Sequence, residues 1–173
     1  MVKKPQRCRR HGAHAVECAI VFPLAFFIVL ATFIGAVGVF QYQQVASLAR
    51  EAARYASTHG GQYQRDYDSQ ITAGTLPNVT EEYIRNNIVL PKCSAMDTSQ
   101  LLMTITFNQP SGSTAWDSTA NRYPNTIWTD PNSGTQYSVT NTVTVTVTYT
   151  WAPFPLLSGT YTLSSTSVMP MCY

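Results

Sequence analysis

The run from Cys18 to Phe40, CAIVFPLAFFIVLATFIGAVGVF, contains 23 residues and no charge. As an α-helix it would extend roughly 34 Å at 1.5 Å per residue, enough to cross a hydrocarbon core about 30 Å thick with some tilt. A cleavable secretory signal has an apolar stretch of only about 7–15 residues, so this run is expected to remain as an anchor. Pro23 is tolerable in such a helix, because in a membrane neighbouring groups re-satisfy the freed carbonyl. Ala31, Gly35 and Gly38 have the small-residue spacing that permits close helix–helix approach, although glycine and alanine are also simply common in membrane spans.

The charges fix the direction of that helix. Five of the eleven basic residues (Lys3, Lys4, Arg7, Arg9 and Arg10) precede the run. Basic residues flanking a span stay on the cytoplasmic side, so residues 1–12 are expected inside and the chain beyond about residue 41 outside. The remaining six basic residues face nine acids. No Lys/Arg stripe is left to neutralise phosphates, and no nucleic-acid partner is expected.

Glu17 stands immediately before the run, where a carboxylate costs up to a few kcal/mol depending on depth. An acid among lipid headgroups is the plain reading. A second reading comes from its surroundings: Gly12, then Ala13-His14-Ala15-Val16, then Glu17, then the apolar run. A glycine, four residues and a glutamate at the membrane boundary resemble the processing signature of type IV prepilin-like proteins. The stretch RRHGAHAVECAIVFPLAFFIVLATFIGAVGVFQYQQVASLAREAARYAS is similar to the N-termini of the TadE-like family of Tad pilus proteins.

That resemblance implies cleavage between Gly12 and Ala13 by a membrane-embedded prepilin peptidase, leaving Glu17 as the fifth mature residue. It implies a pilin-like fold, and a minor pilin or pseudopilin that assists pilus assembly and adhesion. The implied location is the inner membrane or the pilus, and the implied partners are other Tad pilus subunits and inner-membrane assembly proteins. The family usually has Phe or Tyr after the glutamate, whereas this chain has Cys18. Cys18 is not a lipoprotein anchor, since lipidation signals place the apolar run before the cysteine.

After the run, QYQQVASLAREAARYAS (41–57) continues as a helix. Val45, Leu48, Ala49, Ala52, Tyr55 and Ala56 form an apolar stripe, and Gly60-Gly61 is the stop signal. The stripe suits packing on the chain's own exposed domain or docking of neighbouring subunits. The spacing Asn78-Val79-Thr80-Glu81 suggests a capping box opening a short helix through Leu90, ended by Pro91.

Leu101–Phe107 is a short β-prone segment. From Val139 to Trp151 the chain alternates valine, tyrosine and tryptophan with threonine, the period of a strand with one buried and one wet face. Ala152-Pro153-Phe154-Pro155 breaks it, and Tyr161–Met169 returns as its hairpin partner. The expected class is therefore α+β: a long N-terminal transmembrane and stalk helix packed on a small antiparallel sheet. The organisation is a basic leader (1–12), an anchor and stalk (13–60) and an extracytoplasmic α+β domain (61–173).

Residues 108–138, rich in Gly, Pro, Ser and Asn, are expected as a long loop. Its Trp116, Tyr123, Trp128 and Tyr137 either recognise a ligand or fold back on the sheet. Cys93 and Cys172 lie in the exported part. A bridge between them would close a loop of roughly 80 residues, worth on the order of 4 kcal/mol, and two buried thiols are the alternative.

No His/Cys/Asp/Glu cluster has metal-site spacing, and no phosphate-binding glycine loop or nucleophile elbow occurs. Asp130-Pro131-Asn132-Ser133-Gly134 lacks the closing glutamate of a calcium loop and reads as a turn. No cofactor, metal or catalytic residue is expected. Beside the pilus protein stands one rival of another class, a membrane-anchored binding module that does not polymerise.

Overall fold

The computed structural model describes residues 11–116, 123–153 and 159–172, with side chains from residue 14 onward. The chain forms two compact units that divide between Val39 and Phe40. A single helix, α1 (His11–Thr58), contributes to both, with Pro23 inside it.

Within the first unit the side chains of the apolar run point outward: Phe22 is 71% exposed and Val29 68%. That is what lipid as solvent requires of a helix whose backbone is satisfied internally. Thr32, the one hydroxyl in the run, donates to Ile28 O at 2.8 Å, one turn back. A methyl group placed on Gly35 would meet nothing within 4 Å, so no contact among the described residues uses its small size.

In the second unit, the remainder of α1 lies on an antiparallel sheet. Val45, Leu48, Ala49, Ala52, Ala53 and Ala56 are buried, in one cluster with Met103, Ile105, Phe107, Val143, Val145 and Val147. Four of the buried residues on this face are alanines. Ala53, outside the expected stripe, is buried as well, whereas Tyr55 is only half-buried. Past Thr58 the chain turns through Gly60 into two short helices, α2 (Gly61–Asp66) and α3 (Asp68–Thr72).

The expected helix of residues 78–90 forms with a different start. Its N-cap is Thr80, whose Oγ1 accepts from Tyr83 N at 3.1 Å. Glu81 therefore occupies the first helical turn, beside the positive end of the helix dipole, and cannot close the expected capping box. α4 (Glu81–Ile84) runs into a π-helical turn (Arg85–Val89) and then a 3-10 turn (Leu90–Lys92) that contains Pro91. Proline there only tightens the last turn, two residues later than expected.

The main sheet has the order β2-β1-β5-β6, with β1 Leu101–Gln109, β2 Gly112–Ala115, β5 Thr142–Trp151 and β6 Tyr161–Pro170. β5 sits between β1 and β6, and its Val143, Val145, Val147 and Tyr149 are all buried as the alternation requires. On the other face the threonines pair across strands, Thr146 with Thr166 at 3.0 Å and Thr148 with Ser164 at 3.3 Å. Gly112, at φ +134°, makes the tight β1–β2 turn that a side chain would strain.

Two expectations fail here for one reason. The segment Val139–Trp151 is not a single strand, and residues 108–138 are not one long loop. A second sheet, β3 (Asn125–Thr129) paired with β4 (Gln136–Thr140), occupies much of that stretch. The chain changes sheets at Asn141, which is 1% exposed. Its Nδ2 donates to Tyr123 O and Thr126 Oγ1, both at 2.8 Å, and its N donates to Pro124 O at 2.7 Å. Its carbonyl accepts from Met171 N at 2.8 Å, at the end of β6. One asparagine thus ties both sheets through side chain and backbone. Residues 117–122 and 154–158, including Phe154 and Pro155, lie outside the described residues.

Candidate processing and assembly site

Gly12 and Ala13 fall in the first turn of α1. Their side-chain surroundings, the basic residues from Lys3 to Arg10, and Cys8 lie outside the described residues. Glu17 follows one and a half turns on, exposed at the head of the apolar run. His14 Nδ1 stands 3.7 Å from Glu17 Oε2, an i,i+3 pair whose side chains are 82% and 72% exposed. Protonated, the imidazole is a cation beside this carboxylate. The sequence reading passed over the pair, although its spacing is that of neighbours on one helix face. Cys18, the residue after Glu17, is an exposed free thiol.

The other candidates resolve into structure. Trp116 is buried, and its Nε1 donates to Val79 O at 3.2 Å, so it is core. Tyr123 lies under the guanidinium of Arg65, 5.6 Å from carbon to ring centroid. Trp128 and Tyr137 face each other across β3 and β4, with ring centroids 6.3 Å apart, and both keep exposed surface. Asp130 accepts from Asn132 N at 2.9 Å and Ser133 Oγ at 2.7 Å, bonds that hold its carboxyl below the ordinary range. With Gly134 at φ +68°, this is the β3–β4 turn expected of the segment.

Cys93 and Cys172 are not bonded to each other in this structure. Each thiol donates locally, Cys93 to Val89 O at 3.3 Å and Cys172 to Pro170 O at 3.6 Å. Burial pushes the Cys93 thiol upward, against the pull of Arg85, and so disfavours its nucleophilic form. Among the described residues no three His, Cys, Asp or Glu side chains gather as a metal site would need.

The distinctive element is α1, which carries Gly12 in its first turn, then Glu17, the apolar run and an alanine-rich stalk. Residues 12–54 match the family model of TadE-like proteins. TadE-like proteins are a pilin-like structural family associated with Tad pili. The matched segment begins at the glycine and ends inside the buried face of the stalk, so it takes in Glu17 and the whole apolar run. Its helix is long and apolar enough to cross a membrane, and fits a single-pass anchor. No curated protein and no solved structure matches the chain. The likeness is thus confined to residues 12–54, and the β-rich remainder is described by its own geometry alone.

Proposed function

We propose that this chain is a minor pilin or pseudopilin of a Tad-type pilus, anchored in the inner membrane by Cys18–Phe40 and assisting pilus assembly and adhesion. The observation that carries the reading is the TadE-like match over residues 12–54, in which Gly12 and Glu17 bracket the first turns of one uninterrupted helix. In this reading residues 1–12 are a cytoplasmic leader, 13–60 the anchor and stalk, and 61–173 the extracytoplasmic domain. The partners are a prepilin peptidase, other Tad pilus subunits and inner-membrane assembly proteins.

The mechanism follows from the cost of charge in lipid. Cleavage between Gly12 and Ala13 creates an α-ammonium group close to the bilayer. A carboxylate and an ammonium are each expensive there alone, and each offsets the other when one subunit's Glu17 meets the new N-terminus of the next. Breaking a buried pair costs about 3–5 kcal/mol, enough to penalise subunits that are out of register. His14 is the carboxylate's neighbour within the chain until that partner arrives.

The reading is tested by replacing Glu17 with alanine and measuring both membrane levels and sheared surface fibres. The expected result is normal membrane insertion with fibre assembly lost or strongly reduced. Unchanged fibres would remove Glu17 from assembly and leave the second reading, a non-polymerising binding module. That second reading rests on the exposed Trp128 and Tyr137, which share one face of the β3–β4 hairpin, a surface able to anchor a ligand.

A further inference from the structure

The two edges of the main sheet are finished differently. In β1 the backbone groups of the odd residues point away from β5, and each end of that edge is closed. Arg85 Nη2 donates to Leu101 O at 3.5 Å, and the Glu81 carboxylate accepts a backbone hydrogen bond from Ile105. Trp116 N donates to Ile105 O at 3.0 Å, and β2 pairs with Phe107 and Gln109.

β6 forms the opposite edge; just past its end Cys172 N donates to Ser57 O of the stalk at 2.9 Å, and among the described residues nothing covers the edge from Thr162 to Val168. The bond from Met171 N to Asn141 O sets the parity of the β5–β6 ladder, so the odd residues of β6 bond to β5 and the even ones face outward. Thr162, Ser164, Thr166 and Val168 thus present free N–H groups. Pro170 falls on the same outward parity, where its missing N–H breaks no ladder bond. Apart from Pro170 at its end, this edge lacks the usual devices against pairing with another chain, with no ionisable residue between Tyr161 and Pro170 and no bulge.

A second feature lies alongside. A groove beside the strand is lined by Ser47, Arg50, Glu51 and Arg54 of the stalk and by Met169 of β6. Glu51 is already paired with Lys92. Arg50 and Arg54 are exposed and have no ion-pair partner among the described residues. An added strand next to β6 would lay its stalk-facing side chains over these two guanidinium groups.

We infer that the outer edge of β6 is a docking site for an extended segment of a partner protein, one that adds a strand to the sheet and carries acidic side chains toward Arg50 and Arg54. Main-chain bonds to the four outward N–H groups supply the attachment, and the two arginines supply the choice of partner. β6 itself has no acid, so a second copy's β6 does not meet the charge requirement. The inference concerns the exposed domain only and stands whether or not the chain polymerises.

The test uses the full chain in nanodiscs and residue-resolved amide hydrogen exchange. The probe is a peptide alternating threonine and valine, with aspartate at the two central valine positions. A second peptide carries lysine at those positions. At millimolar aspartate peptide, exchange at Thr162, Ser164, Thr166 and Val168 is expected to slow at least tenfold, with no such slowing by the lysine peptide. The Arg50→Glu/Arg54→Glu double variant is expected to reverse that preference. The inference is overturned if the four amides are already protected without peptide, which would indicate an edge occupied by a copy of the chain. It is equally overturned if neither peptide protects them, or if both do so alike.

Discussion

Replacing Asn141 with alanine should loosen the β3–β4 hairpin from the main sheet while leaving β5 and β6 paired. The substitution deletes two side-chain bonds of 2.8 Å, to Tyr123 O and Thr126 Oγ1, at a residue that is 1% exposed. It leaves the backbone bonds to Pro124 and from Met171 in place. A net hydrogen bond contributes about 0.5–1.5 kcal/mol, and a buried carbonyl left without its donor costs about 1–3 kcal/mol. Against this, Asn141 Oδ1 is itself buried without a partner, and alanine relieves that cost. The balance is a loss of about 1–3 kcal/mol, or roughly a five- to 150-fold rise in hairpin opening. Amide hydrogen exchange measures it: Thr126, Trp128 and Val139, whose N–H groups lie in the β3–β4 ladder, should accelerate by that factor and Val145 by much less. Equal acceleration in both sheets, or none in the hairpin, would refute the role of Asn141 as the tie between them.

The remaining expectations are simpler. Val145→Ala removes two fully buried methyl groups and should cost about 2 kcal/mol in denaturant unfolding, whereas Thr146→Ala, one residue on and facing the other side, should cost under about 1 kcal/mol. Asp97 and Asp130 are both held below the ordinary carboxylate value of 3.8 by bonds from Ser99 and from Asn132 and Ser133. A depressed folded-state value stabilises above 3.8, and that contribution is lost as pH falls through the folded value. An acid titration of stability should therefore drop below about pH 4, and the Asp97→Asn/Asp130→Asn double variant should flatten that drop. With both thiols free, Cys93→Ser should leave the mobility of the chain on non-reducing gels unchanged. A shift that only the wild type shows would demonstrate a bridge.

Patterns that repeat were legible in the sequence; single side-chain contacts were not. The apolar run and the stalk stripe repeat with a helical period, and the threonine–valine alternation of β5 repeats every second residue. Repetition of that kind survives any local error, so α+β architecture and the helix–sheet packing followed from it. Asn141 broke the reading of residues 139–151 because an asparagine is unremarkable beside threonines, and only the folded chain supplies Tyr123, Thr126 and Met171 around it. The hairpin of residues 125–140 was hidden in a stretch rich in turn-forming residues, where five-residue strands give little periodicity to count. Thr80 and Asn78 are both good caps, and only the folded chain shows that Thr80 Oγ1 takes the N–H of Tyr83. In the candidate site, Gly12, Glu17 and the run could be nominated from the sequence because their relation is one of linear order along one helix. The edge of β6 was not, since its openness is defined by what other strands leave uncovered.

The account turns on whether residues 1–12 are removed from the mature chain. Intact-mass measurement of the protein extracted from its native membrane, with and without a functional prepilin peptidase, decides this directly. The account predicts a chain beginning at Ala13 when the peptidase is present and one retaining the basic segment when it is absent. Retention of that segment in both preparations would contradict it, because Glu17 would then have no new ammonium group to pair with.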